Sequence, residues 1–324
     1  MRNQIARIRC PQAGENKEKR LEALFMDIKG WVYSEALTGL VRLFGGEIPD
    51  DLGLKEYIEQ LNTFVDVWDY RKRQSNGGER WQIDDDARVE QLKGNILEAA
   101  SDLGLIEPEE PICPPDYILP LGGARLSNLA RAEHSLKMAE MFTEQPFSIV
   151  ALTGKRPIDA IEIEYVSTYA SNVKTEYEAM NVALEKTFAL KKEEYVETNF
   201  VTDNCNLQWA IREYAERYRD HKIYSLAAPS SDPSRRANSL DTFNFFMGKF
   251  NIRKQQRLLL VTSCIYVPFQ LLKFVPISIE NDIVVDCVGV PATVRGSQFS
   301  KPSNYLQEIK GTVNAIKHVA DIYL

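Results

Sequence analysis

The chain reads as an α/β protein, a Rossmann-like three-layer parallel sheet preceded by a small all-helical domain. Three observations predict this. Apolar residues in the first third recur at three- and four-residue spacings, as on an amphipathic helix. Glu107–Pro115 (EPEEPICPP) then places four prolines in nine residues, a composition that opposes helix and favours an extended connector. Beyond it, short apolar runs alternate with helical patterns, the signature of βαβ units. The expected organisation is therefore a helical domain over residues 1–113 and a sheet domain over 114–324.

Within the first part, Glu18–Phe25, Leu54–Phe64 and Leu92–Leu103 carry helical periodicity, and Gly104 is a natural stop for the last. Ser75-Asn76-Gly77-Gly78 reads as a turn or loop ahead of the acidic run Asp84-Asp85-Asp86. Arg71-Lys72-Arg73 is either a phosphate contact or solvated surface. Beyond the connector, Tyr117–Leu121, Phe147–Thr153, Tyr195–Glu197, Arg257–Ser263 and Ile283–Val288 read as strands. The continuous apolar run Arg257–Ser263 has the composition of a central strand buried on both faces. Ser127–Phe142, Thr175–Phe188, Leu207–Tyr218 and Asn304–Tyr323 read as helices. Ala227–Asn238 (AAPSSDPSRRAN) reads as a long loop, a lid or plain surface.

Composition narrows the functional classes. With 324 residues, 44% of them hydrophobic, the chain can build a normal core. Its formal charge of -7 opposes a nucleic-acid partner, whose contact face needs an excess of Lys and Arg. No apolar run approaches the ~18 residues that span a bilayer, so no membrane association is expected. Five scattered cysteines without a C-x-x-C pair, and an N-terminus without an apolar signal core, fit a reduced, cytoplasmic protein. Three distant histidines offer no metal-ligand spacing, and no metal site is expected.

Ligands of open parallel sheets bind beyond the carboxyl ends of the strands, so the residues just after each strand carry the chemistry. Gly122, Gly123 and Arg125 follow the first strand; Thr153, Gly154 and Lys155 follow the second; Thr262 and Ser263 close the strongest one. Glycines admit close backbone approach and the cations can grip phosphate or carboxylate, which points to an anionic small molecule. Neither G-x-G-x-x-G nor a Walker loop is present. Glu176 and Glu178 fall in the first turn of a helix, where a carboxylate favours the dipole, and at most one of them faces a site.

The order of these segments resembles the YdcF-like family (YdcF, SanA and ElyC), a domain of largely unknown function. Leu121–Arg125 and Leu152-Thr153-Gly154-Lys155 resemble its two glycine loops, Thr175–Met180 (TEYEAM) its helix start, Asp203–Trp209 (DNCNLQW) its N-T-x-E-N segment and Val261-Thr262-Ser263 its V-T-S strand. The family's histidine and arginine after V-T-S are Tyr266 and Phe269 here, a departure that implies a retuned or inactive site. The likeness implies a transferase holding a nucleotide-like or S-adenosylmethionine-like cofactor. Glu176 and Glu197 would be its carboxylate pair, with Asn204, Asn206 and Tyr266 on the ligand. The alternative is a non-catalytic ligand sensor or scaffold.

Overall fold

The computed structural model describes residues 5–49, 51–72, 83–108, 110–294 and 301–324. The expected turn at Ser75–Gly78, and Arg73, lie outside them. The chain divides into two compact units, residues 110–262 and residues 1–109 together with 263–324.

The first of these carries most of the sheet. β1 (Tyr117–Pro120), β2 (Ser148–Gly154), β3 (Tyr195–Phe200), β4 (Trp209–Tyr214), β5 (Lys222–Ala228) and β6 (Arg257–Ser263) join β7 (Val284–Val290) in a seven-stranded sheet of order β3-β4-β5-β2-β1-β6-β7. β1, β2, β5 and β6 pair in parallel, whereas β3–β4 and β4–β5 are antiparallel. The predicted α/β class is thus the observed one, a mostly parallel sheet with flanking helices and an N-terminal helical region. The strand order reverses between β1 and β6, the kind of position where ligands sit in such sheets.

Helices α6 (Ser127–Met141), α7 (Ala160–Val166), α8 (Glu176–Thr187) and α9 (Ser239–Phe250) belong to the same unit. Thr175 caps α8 and Asn238 caps α9, each in a reciprocal box with the acidic residue three positions on. Tyr177 of α8 packs with Ala210 and Ala227 on one face of the sheet. On the other, Phe246 and Phe250 of α9 meet Tyr117 and Tyr224 edge-on.

One expected element is corrected. Leu207–Tyr218 reads as a helix because Leu207, Ala210, Ile211 and Tyr214 fall at three- and four-residue spacing. The structure instead places a three-residue turn at Cys205–Leu207 and then strand β4. Alternation decides it: Ala210, Arg212 and Tyr214 share one face, and the strand is paired along both edges. Two such partners outweigh local helical spacing.

In the other unit, α1 (Lys17–Val32), α2 (Glu35–Leu43), α3 (Leu54–Phe64), α4 (Ala87–Gln91) and α5 (Lys93–Asp102) assemble with α10 (Val267–Asn281) and the closing α11 (Pro302–Tyr323). Leu24, Ile28, Trp31, Ile58, Leu61 and Ile309 are buried in its core. Arg20 is buried there too, donating to the carbonyls of Pro11, Ser278, Ile279 and Ile283. Those carbonyls give its charge the hydrogen bonds that burial demands. No described helix is long and apolar enough to cross a membrane.

Candidate functional site

The carboxyl ends of β1, β2 and β5 converge with the start of α8. Gly122 and Gly123 lie just beyond β1, but their amides are already engaged. Gly122 donates to the Leu152 carbonyl at 2.7 Å and Gly123 to Asn128 Oδ1 at 2.9 Å. Arg131, buried on α6, donates to the carbonyls of Leu121 and Gly122. Gly123 is closely packed, and Gly122 leaves room for the end of the Glu176 side chain. A Cβ on Gly122 would lie 2.1 Å from Glu176 Oε1, and one on Gly123 2.7 Å from the Ser127 Cβ. Arg125 takes a left-handed backbone (φ 56°) and lays its guanidinium on the Tyr165 ring, 4.7 Å from the centroid.

Two ion clusters flank this loop. In the first, Arg156 forms a bidentate pair with Glu162 (2.6 and 2.8 Å) and reaches Glu176 Oε2 at 3.0 Å. Burial alone would raise the Glu162 pKa. The Arg156 guanidinium and the amides of Asp159 and Arg125 outweigh burial and hold the carboxyl below its usual range. Arg156 in turn is held firmly cationic: burial opposes its charge, but the two carboxylates prevail. Burial, then the charges of Glu162 and Glu176, push the Tyr169 phenol up, and its hydroxyl has no hydrogen-bond partner among the described residues.

In the second cluster, Arg212 of β4 holds Glu197 at 3.0 Å and Glu185 at 3.3 Å and stacks on Tyr195, 3.7 Å from the centroid. Tyr177 donates to Glu197 Oε2 at 2.9 Å. Burial pulls the Glu197 carboxyl up, yet Tyr177, Asn199 and Arg212 together bring it below the usual range. Glu176 and Glu197 thus answer to different arginines rather than forming one carboxylate pair. Glu178 serves α8 itself, accepting from the Thr175 amide.

Lys155 directly precedes Arg156 in the chain. Its ammonium lies 5.9 Å from the centroid of the Tyr177 ring, and it forms no ion pair or hydrogen bond with any described residue. Close by in sequence, Thr153 is buried and donates to the Leu226 carbonyl. The segment after β5 packs over Gly154, with the Ala237 Cβ 3.6 Å from where a Gly154 Cβ would lie. Asn204 and Asn206 both donate to the Pro233 carbonyl, and Arg235 pairs with Asp241, so this loop is pinned from two sides. The two asparagines therefore hold the loop here. Thr262 is buried at the end of β6, while Ser263 and Tyr266 are buried in the other unit. A groove of about 300 Å³ at the amino ends of the parallel strands mixes Asp116 and Asp220 with Arg217 and Lys222, and no single charge prevails there.

The sequence reading does not include Arg212, Glu162, Tyr177 or Tyr169 among the site residues. Arg212 was hidden by the helical reading of its strand. Glu162 carried a readable signal, since Asp159 with Glu162 three positions later is a capping box.

With this geometry in view, the comparisons with known proteins correct the expected family. Residues 15–104 match the Rv3785 N-terminal domain. Over 335 aligned residues the chain is 28% identical to the uncharacterized protein Rv3785 of Mycobacterium tuberculosis (strain H37Rv), covering 95% of this chain and 92% of that protein. The uncharacterized protein Mb3814 of Mycobacterium bovis matches with the same identity and coverage. No solved structure matches. The YdcF-like resemblance is not upheld: the matching family and relatives are of the Rv3785 kind, with no YdcF-like match. Its echoes have local causes. Thr175–Met180 is a capping box opening a helix, Cys205–Leu207 is a turn, and Val261-Thr262-Ser263 ends a buried strand.

Proposed function

We propose that the unit 110–262 binds an anionic small molecule over the carboxyl ends of β2 and β5, with Lys155 as the anchoring cation. One contrast carries the proposal. Arg156 and Arg212 are each saturated by two carboxylates, whereas the Lys155 ammonium has no acidic partner among the described residues. A lysine in such a position is a compact charge suited to phosphate or carboxylate. Glu197, held ionised and partly exposed, is placed to accept hydrogen bonds from ligand hydroxyls, as a ribose or sugar would offer.

In its enzymatic form this is group transfer from a nucleotide-like or S-adenosylmethionine-like donor. The engagement of both Glu176 and Glu197 by arginines favours a second reading, a ligand-sensing protein in which the carboxylates position rather than transfer protons. A thermal-shift screen of the full chain against nucleotides, nucleotide sugars, sugar phosphates and S-adenosylmethionine tests the shared claim. Ligand at a hundredfold excess over Kd stabilises the fold by about 2.7 kcal/mol, and Lys155→Met should remove that shift. Turnover lost in Glu176→Gln or Glu197→Gln with binding retained identifies the enzyme; binding without turnover in the wild type identifies the sensor.

A further inference from the structure

We infer that this chain forms a symmetric dimer through the free edge of β3, which pairs antiparallel with β3 of a second copy to continue the sheet. β3 is the terminal strand of the sheet order, and five of its six residues are exposed. Val196 is 72% and Phe200 50% exposed, with Val201 just beyond at 66%. Natural edge strands are normally guarded by lysine, proline or a bulge. Tyr195–Phe200 contains no lysine or proline and pairs with β4 in unbroken register. Its one charge, Glu197, is paired with Arg212, which it shares with Glu185.

The backbone fixes which groups are available. The Ala215 amide donates to the Glu194 carbonyl at 2.9 Å, making those two residues a hydrogen-bonded pair of the β3–β4 ladder. Such pairs alternate, so Val196, Thr198 and Phe200 bond inward to β4, while Tyr195, Glu197 and Asn199 turn their amides and carbonyls outward. Side-chain chemistry then selects the register. A twofold axis perpendicular to the sheet sets residues of the same face opposite each other, which leaves either Glu197 or Thr198 on the axis near the strand centre. Glu197 on the axis would oppose two carboxylates, a destabilising like-charge pair. Thr198 on the axis instead sets Val196 against Phe200 of the second copy and Glu197 against its Asn199. Apolar meets apolar, carboxylate meets amide, and the outward backbone groups of Glu197 and Asn199 meet as hydrogen-bonded pairs. A self-complementary strand of this kind selects a second copy rather than an unrelated partner.

Sedimentation velocity on the full chain, from about 1 to about 100 μM, spans the micromolar range expected of a single-strand interface. The wild type should shift from monomer to dimer across it. Thr198→Lys, which brings two ammonium groups together on the axis, should remain monomeric with an unchanged circular dichroism spectrum. Thr198→Glu should behave likewise, and an equimolar mixture of the two variants should dimerise again through opposite charges. A wild type that stays monomeric throughout overturns the inference. So does a dimer that persists in both variants, or a mixture that stays monomeric.

Discussion

At the scale of single residues, glycines and buried charges have definite structural jobs. The glycines after β1 look like ligand cradles in the sequence, yet Gly122 yields its missing Cβ to the Glu176 carboxylate. A sequence shows where glycine is, not which neighbour needs the room. Gly289 is the sharper case, because its absent Cβ would sit 2.4 Å from the Cys264 Cα, backbone that cannot step aside. Gly289→Ala should therefore cost at least the 1–3 kcal/mol typical of overpacking, read as a lower denaturation midpoint with unchanged slope. Two titratable groups contribute to the acid response in separate windows. Burial depresses the His134 pKa to about 4, so the stability of its neutral form is complete above the ordinary 6.5 and fades as pH falls toward 4. Glu162, also depressed, contributes fully above its ordinary 4.5 and loses that contribution as pH falls through its lower folded value. Denaturant titrations should show His134→Leu flattening the loss between pH 6.5 and 4, and Glu162→Gln flattening only the stage below 4.5. A His134→Leu variant that loses as much stability as the wild type between pH 7 and pH 4 would contradict the first assignment, and a Glu162→Gln variant that loses as much below pH 4.5 would contradict the second.

At the scale of elements, legibility followed the period of the pattern and the number of partners. Arg257–Ser263 and Leu54–Phe64 were read with their observed bounds, because one is continuously apolar and the other cleanly amphipathic. β4 reads as a helix in the sequence because a two-sided strand with Ala210, Ile211 and Tyr214 also satisfies helical spacing. The sequence reading contains no α2, α4, α7, α9, α10 or β5; β5 depends on its partners β2 and β4, whereas α7 and α9 carry local capping boxes at Asp159–Glu162 and Asn238–Asp241. The site was legible only in part: Lys155 and Glu176 were visible as residues after a strand and at a helix start, but their arginine partners required the fold. α11 makes the clearest element-scale prediction. It buries 14 residues within the unit it shares with residues 1–109, and Lys310 pairs there with Asp66 and Asp69. Deleting 302–324 should abolish the cooperative unfolding of that unit, while Lys310→Met, which leaves Asp69 only the exposed Lys72 ammonium and the Lys72 amide, should cost about 1–3 kcal/mol. Calorimetry of both variants measures this; a truncated chain that keeps the full transition would refute it.

At the scale of the whole molecule, relatives align along 95% of the chain, so both units recur together in them. A mostly parallel sheet with its order reversed beside β1 is a scaffold for ligands at the carboxyl ends of its strands, and fold alone does not choose the chemistry. That choice falls to the side chains. Around α8 two arginines are each held by two carboxylates, and the proposed anion site rests on Lys155, which has no acidic partner among the described residues. The most direct test is isothermal titration of the full chain and of Lys155→Met with the best-stabilising phosphorylated or carboxylated ligand of the screen. Saturable binding to the wild type that weakens at least tenfold, about 1.4 kcal/mol, in the variant is the predicted result. Equal binding by both proteins, or none by either across the anionic panel, would contradict an anion site at Lys155.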